Sequence, residues 1–272
     1  MLGVPTAEVA GLFLVSTPTM AARLTRARKR LAGERFELPA GRALEARLGT
    51  AADVAYLAFT AGYAPGSGLD AIRLETAAEA IRLVRVLRSQ VPQPVVEIDA
   101  LLALMLIQHS RRDARVRAGR LVLLPDQDRR RWRWDESAEA LDLLTPWATA
   151  PASPYLLQAL IAAEHAVATS AAETDWPRIV ARYDELLALG ESPVVRLNRA
   201  VAVAEADGPL AGLRALDGLA LPGHRLPAVR AELLRRAGDM VAARASYDVA
   251  IGACDHGPER DHLRRRRTEL GG

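Results

Sequence analysis

This chain is short of thiols, lysine and aromatic rings, and each shortage closes off a class of function. Of its 272 residues one is cysteine, Cys254. No disulfide can form within the chain and no zinc site can rest on thiolates, so a reducing, cytoplasmic setting is expected. Lys29 is the only lysine, which makes almost all positive charge arginine. No apolar run approaches the length of a membrane span; the longest covers residues 100–107. The N-terminus lacks the basic-then-apolar pattern of a signal peptide, so no membrane partner is expected. A net charge of +3 does not describe an indiscriminate polyanion binder. The basic excess is local, in residues 1–50 and in Arg264, Arg265, Arg266 and Arg267. Neither a Walker loop nor a dinucleotide fingerprint occurs, because GYAPGSG at 62–68 has no lysine and no preceding strand.

What is abundant is helix-forming. Ala, Leu and Arg dominate, β-branched residues other than Val are scarce, and 50% of the chain is apolar. An all-α fold with a sizeable core follows, as two domains or one long helical array. Residues 4–31 read VPTAEVAGLFLVSTPTMAARLTRARKRL. They form a short apolar helix, a tight turn and a basic helix, the order of a helix-turn-helix. Thr6 is expected to cap the first helix, with Glu8 near its positive end. Val9, Leu12 and Phe13 fall on its inner face, and Leu14 and Val15 fill the turn. Ser16 or Thr17 caps the second helix, with Pro18 in its first turn and Gly33 after its end. Met20, Leu24, Ala27 and Leu31 make the inner stripe of that helix. Thr19, Ala22, Thr25, Arg26 and Lys29 lie opposite, flanked by Arg23, Arg28 and Arg30. The candidate DNA contacts are therefore Ser16, Thr17, Thr19, Ala22, Arg23, Thr25, Arg26, Lys29 and Arg30.

Residues 34–50, with Pro39 and Gly41, read as a connector containing a short helix. A helix with Val54, Leu57, Ala58 and Ala61 on one side follows, then a loop at 62–68. Residues 69–87 are amphipathic, with Ile72, Ala80, Leu83, Val84 and Leu87 inside and Arg73, Arg82, Arg85 and Arg88 outside. Pro92 and Pro94 end that segment. Residues 95–110 are apolar nearly all round, a buried helix. Residues 115–124 alternate apolar and arginine around Ala118-Gly119, a short β-hairpin. A helix covers 131–144, and 146–154 read as a linker. Beyond Tyr155, Asp175-Trp176, Asp207-Gly208 and Gly238-Asp239 each open a helix at intervals of roughly thirty to thirty-four residues, the period of tetratricopeptide-like helix pairs. Ala243, Tyr247 and Ala250, and in the earlier copy Ile179, Tyr183 and Leu186, mark the buried face. Residues 258–270 read as a capping helix whose arginine run is a solvated face.

Residues 19–31 resemble the recognition helix of region 4 in extracytoplasmic-function sigma factors. Tyr56-Leu57-x-Phe59-x-x-Gly62-Tyr63, LLALMLIQHSRRDAR at 101–115, Asp126-Gln127-Asp128-Arg129 with Trp132, and SPVVRLNRAVAVAEAD at 192–207 are similar to the helical extension in one group of that family. The resemblance implies a role in transcription initiation, with promoter DNA and the core RNA polymerase as partners and no catalysis. It also implies a tetratricopeptide-like part that replaces a separate anti-sigma factor. Region 2, which in the family grips the core polymerase, and the first part of region 4 have no counterpart here. The expectation is thus either a truncated sigma factor or a stand-alone fragment. Ala21 and Ala22 stand where family members often carry a base reader, and alanines offer little hydrogen bonding to base edges. The implied layout is a partial helix-turn-helix (1–33), a connector (34–50), a helical domain with the hairpin (51–150) and helical repeats (151–272).

The densest polar cluster outside the basic helix joins His109, Ser110, Arg111, Arg112 and Asp113 with Asp126, Gln127, Asp128 and Arg129. As a site, His109, Arg111, Arg112, Asp126, Asp128 and Arg129 would take a small ligand or dock a regulatory protein. As structure, they would be an ion-pair network pinning the hairpin to the buried helix. An enzyme centre is poorly supported: His109 and Ser110 are helix neighbours and point apart, and Asp126 and Asp128 lack a third hard ligand. No cofactor or metal is expected. Gln158 and His165 share a helix face, which reads as inward, with His165 a satisfied core histidine. The alternative to a sigma-type role is a stand-alone interaction or ligand-sensing module with a vestigial DNA-binding helix.

Overall fold

The computed structural model describes residues 4–35, 41–63 and 73–271. It is all-α, and among the described residues the only strands form one two-stranded hairpin. The loop expected at 62–68, the connector residues 36–40 with Pro39, and residues 69–72 with Ile72 fall wholly or largely outside the described residues.

Helix α1 (Thr6–Leu12) is capped by backbone alone: Pro5 precedes it, and the Glu8 and Val9 amides both donate to the Pro5 carbonyl at 3.0 Å. Thr6 is already the first helical residue and does not serve as the expected cap. Helix α2 (Thr17–Leu31) starts as expected, the Ser16 hydroxyl accepting from the Thr19 amide at 3.3 Å with Pro18 in the first turn. The seam between them is shorter than the sequence suggests. Ala10 and Met20 are buried, but Phe13 and Leu14 are 50% and 53% exposed, and Leu31 is also outside. A seven-residue α1 covers only the first half of its partner. Glu8 is buried because the Arg73 guanidinium donates to both of its carboxylate oxygens at 2.6 Å. Arg73, expected on an outer face, therefore pins α1 to the body of the protein.

Helix α3 (Arg42–Tyr63) runs unbroken through residue 50, so the expected boundary between connector and helical domain lies inside one helix. Its buried face is Leu48, Ala52, Ala55, Ala58 and Phe59; Val54 points out. Helix α4 (Leu74–Ser89) lies close against it, burying Ala77, Ala80, Ile81 and Val84. Only glycine fits at 62, because a Cβ there would stand 2.6 Å from the Ala77 amide nitrogen. Helix α5 (Val96–Ser110) is buried along most of its length, as its apolar run at 100–107 requires, and packs on α3, α4, α6 (Trp134–Leu144) and α7 (Pro154–Val167). Strands β1 (Val116–Arg117) and β2 (Arg120–Leu121) pair antiparallel across Ala118 and Gly119, both at positive φ as a tight two-residue turn demands.

The core around α5 continues through Leu156, Ala159, Ala162, Ala163 and Ala166 of α7. The proline-rich stretch at 146–154 is thus a bend within one core, and the boundary expected at residue 150 does not divide two cores. From α7 onward each helix packs on its neighbours: α8 (Trp176–Leu189), α9 (Pro193–Asp207), α10 (Pro209–Ala215), α11 (Arg225–Ala237), α12 (Met240–Gly252) and α13 (Gly257–Thr268). Small clusters seal successive joints. Ile161, Ile179 and Ala202 lie at the first, Leu197, Ala200, Ala204 and Leu233 at the middle, and Ala231, Tyr247, Ala250 and Leu263 at the last. This is the nearest-neighbour packing of helical repeats. Helix α13 also rests on β2, so the succession of contacts returns to the hairpin. No helix among the described residues is long and apolar enough to cross a membrane.

Candidate functional site

The structure separates the sequence-derived candidates into three places. The first is the outer face of α2. Thr19, Arg23, Arg26 and Arg30 recur at three- and four-residue steps and share one side of the helix; Ala22 and Lys29 widen it, and Thr25 lies at its margin. Ser16, Thr17 and every residue of this face are exposed. Helix α2 carries no acidic residue. Among the described residues no carboxylate lies within ion-pairing distance of Arg23, Arg26, Arg28, Lys29 or Arg30. Five cations on fifteen helical residues repel one another, an arrangement an anionic partner relieves.

The second place holds part of the expected polar cluster, with a different partner. His109 Nδ1 lies 3.0 Å from Glu136 Oε2, and Arg112 donates to the same oxygen at 2.7 Å and to the His109 carbonyl at 2.9 Å. Burial alone would raise the Glu136 pKa, but the His109 and Arg112 hydrogen bonds outweigh it and hold the carboxyl below its ordinary value. Asp126 and Asp128, the acids expected here, are exposed and elsewhere. Asp128 caps the following turn by accepting from the Arg130 amide at 3.1 Å and pairs with the Arg130 side chain at 2.9 Å. Ser110 is bound to the Ile107 carbonyl and receives the Ser137 hydroxyl at 3.1 Å, so it forms no nucleophile–base pair with His109. This knot ties α5 to α6. Glu136 left a trace in the sequence only as an acid in a helix's first turn.

The third place collects Arg111, Arg129, Trp132 and His165. The guanidinium groups of Arg129 and Arg111 lie 4.5 and 6.0 Å from the centre of the buried Trp132 ring. Arg129 Nη1 donates to the carbonyls of His165 at 2.8 Å and Ala168 at 2.7 Å, capping the negative end of α7. His165 is not the core histidine expected. Its ring meets the Trp176 ring edge-on at 5.2 Å and forms part of the wall of a groove of about 260 Å³. Arg129, Ile179, Tyr183 and Val201 also line it. Burial, with Arg111 and Arg129 nearby, pushes His165 down to about 4, so its imidazole is neutral at physiological pH. Burial and the adjacent Arg111 likewise lower the Arg129 pKa. Helices α7, α8 and α9 supply residues that no sequence spacing places beside Arg129.

One further convergence escaped the sequence. Donor atoms of His224, Cys254 and Glu259 lie within 4.8 Å of one another, and these residues could hold a divalent ion. His224 Nε2 and Glu259 Oε2 already satisfy each other at 2.8 Å, and burial raises the Cys254 thiol pKa.

A family of unknown function (DUF6596) matches residues 47–148, the stretch from α3 through α6, which includes the His109–Arg112–Glu136 knot but not α2 or the array. An uncharacterized protein of Rhizobium meliloti (strain 1021) is similar over nearly the whole chain, 38% identical over 278 aligned residues that cover 98% of this chain. The chain spans 65% of that protein's length. No solved structure matches.

Proposed function

We propose that this chain acts in transcription initiation as a sigma-factor-type protein, its helix-turn-helix lying against promoter DNA and its helical array regulating that contact. The observation that carries the reading is the outer face of α2, an exposed row of Arg23, Arg26, Lys29 and Arg30 with no carboxylate partner among the described residues. In a helix-turn-helix the second helix enters the major groove and its flanking cations meet phosphates. The cap at Ser16 fixes where that helix starts, and the Glu8–Arg73 pair holds the unit to the body. The sigma-like order of residues 19–31 supports the same assignment, while a core-polymerase partner depends on region 2, for which residues 1–272 hold no counterpart. The alanines at 21 and 22 leave phosphate contact as the main contribution of this helix. The role requires no catalytic group and suits a cytoplasmic protein.

The test is fluorescence anisotropy with a labelled duplex at low salt. The expected result is binding that the combined substitutions Arg23→Ala, Arg26→Ala, Lys29→Ala and Arg30→Ala remove while the fold persists. Binding that survives all four substitutions would overturn the assignment, and absence of binding by the unaltered chain would favour a stand-alone interaction module.

A further inference from the structure

Three segments meet at the far end of the array, and each brings a metal-binding side chain. His224 stands at the N-cap of α11, Cys254 just past the end of α12, and Glu259 in the first turn of α13. His224 Nε2, Cys254 Sγ and a Glu259 carboxylate oxygen lie within 4.8 Å of one another, and among the described residues no other three His, Cys, Asp or Glu side chains converge so closely. His256, the buried N-cap of α13, stands at the edge of the group, its Nδ1 3.7 Å from the Glu259 Oε2 that His224 Nε2 approaches at 2.8 Å. Cys254 is 2% exposed, whereas the His224 and Glu259 side chains keep 18% and 26% of their surface in solvent, which leaves an entry path from one side. The His224–Glu259 pair is complete without a thiol, yet the sole cysteine of the chain is the third member of the group. Its Sγ meets the His256 carbonyl at 3.5 Å, a weak contact.

We propose that His224, Cys254 and Glu259 ligate one zinc ion, with water in the fourth position and His256 orienting the Glu259 carboxylate. The donor set selects the metal. Imidazole and thiolate favour zinc or a similar late first-row ion, whereas magnesium and calcium take oxygen ligands. A single cysteine excludes a site of thiolates alone but is enough for a mixed set. Charge also fits: one thiolate and one carboxylate balance a dication, so the bound site is neutral, as a largely buried site requires. The thiol proton leaves to solvent when the ion binds. Donors around a tetrahedral zinc stand about 3.3–3.8 Å apart, so the His224–Glu259 contact opens by about half an ångström and Cys254 closes by at most about one. Side-chain rotation of that size needs no rearrangement of the helices. The ion would join α11, α12 and α13 at one point, and because α13 rests on β2 it would also brace the hairpin.

The full chain, stripped with a chelator and dialysed, is titrated with zinc chloride against a chromophoric chelator, and separately with cobalt(II) and magnesium, reading absorbance and melting temperature. The expected result is one zinc per chain and a melting temperature raised by stoichiometric zinc but not by excess magnesium. Cobalt(II) should give an ultraviolet thiolate-to-metal charge-transfer band. Cys254→Ser should abolish that band and weaken zinc at least about tenfold while the metal-free melt holds, and His224→Gln should weaken zinc by a similar factor. Should His224→Gln fail to fold, Cys254→Ser leaves the His224–Glu259 pair in place and carries the test. His262→Gln, on α13 but outside the group, should leave zinc affinity unchanged. No zinc uptake at stoichiometric concentration, no charge-transfer band with cobalt(II), a band that survives Cys254→Ser, magnesium as effective as zinc, or an equal loss from His262→Gln would each overturn the proposal. None of these outcomes depends on DNA binding.

Discussion

Helices α2 and α13 are both arginine-rich, and the protein treats them in opposite ways. On α13, Arg266 reaches Glu232 at 2.9 Å and Glu269 at 2.8 Å, Arg267 reaches Asp248 at 3.0 Å, and Arg264 reaches Asp261 at 3.3 Å. The expectation of a merely solvated face is wrong there, because α11 and α12 present acids to it. On α2 no acid is presented to any of five cations among the described residues. The charge run alone does not distinguish them. What distinguishes them is whether the fold supplies the counter-charge; on α2 it is left to solvent ions or to another molecule.

The comparison can be pressed hardest through DNA affinity. Replacing Arg23, Arg26, Lys29 and Arg30 by alanine should weaken duplex binding at low salt by at least about a hundredfold, because each lost phosphate contact forfeits counterion release. Replacing Arg264 and Arg265 by alanine should leave affinity within about twofold. A comparable loss from both sets would erase the distinction between the helices.

Stability should divide the other way. Glu232 accepts from Arg235 at 2.6 Å, from Arg266 at 2.9 Å and from the Tyr247 hydroxyl at 2.9 Å, so it joins α11, α12 and α13. Glu232→Ala should lower stability by about 2 kcal/mol in urea unfolding, since it strands three donors. A midpoint unchanged by this substitution would show that the internal pairing of α13 contributes nothing.

The same carboxylate gives a pH test. Burial would raise the Glu232 pKa, but the hydrogen bonds from Arg235, Arg266 and Tyr247 overcome it and hold it at about 2 against an ordinary 4.5. A depressed folded-state pKa contributes stability that is present above the unfolded value and lost as pH falls through the folded one. The unaltered chain should therefore lose stability between about pH 4.5 and 2 more steeply than Glu232→Gln does. Parallel profiles would mean that the pairing is absent in solution. The smallest effect belongs to α2, where single alanine substitutions at Arg23, Arg26 or Arg30 should shift stability by no more than about 0.5 kcal/mol in thermal melts.

These contrasts also explain what the sequence could reveal. Periodic, local features were legible: the buried α5, the hairpin turn at Ala118-Gly119, the Ser16 cap, and Ala243, Tyr247 and Ala250 facing inward on α12. Each is decided by neighbours a few residues away. Pairings across the fold were not legible. Glu136 stands 27 residues from His109, and Glu232 stands 34 from Arg266, with nothing in the intervening sequence to join them. The hairpin suggests that Asp126 and Asp128 return to His109, whereas a turn cap and the Arg130 side chain satisfy Asp128 locally. Val54 fits a helical spacing as well as Phe59 does, and only the packing of α4 and α5 decides which of them is buried.

The most direct test of the central claim is the salt dependence of duplex binding. If four cations of α2 meet phosphates, the logarithm of the association constant should fall against the logarithm of salt with a slope of about −3.6, and the four-alanine variant should bring the slope near zero. A slope near zero for the unaltered chain, or a steep slope that survives the four substitutions, would contradict the account.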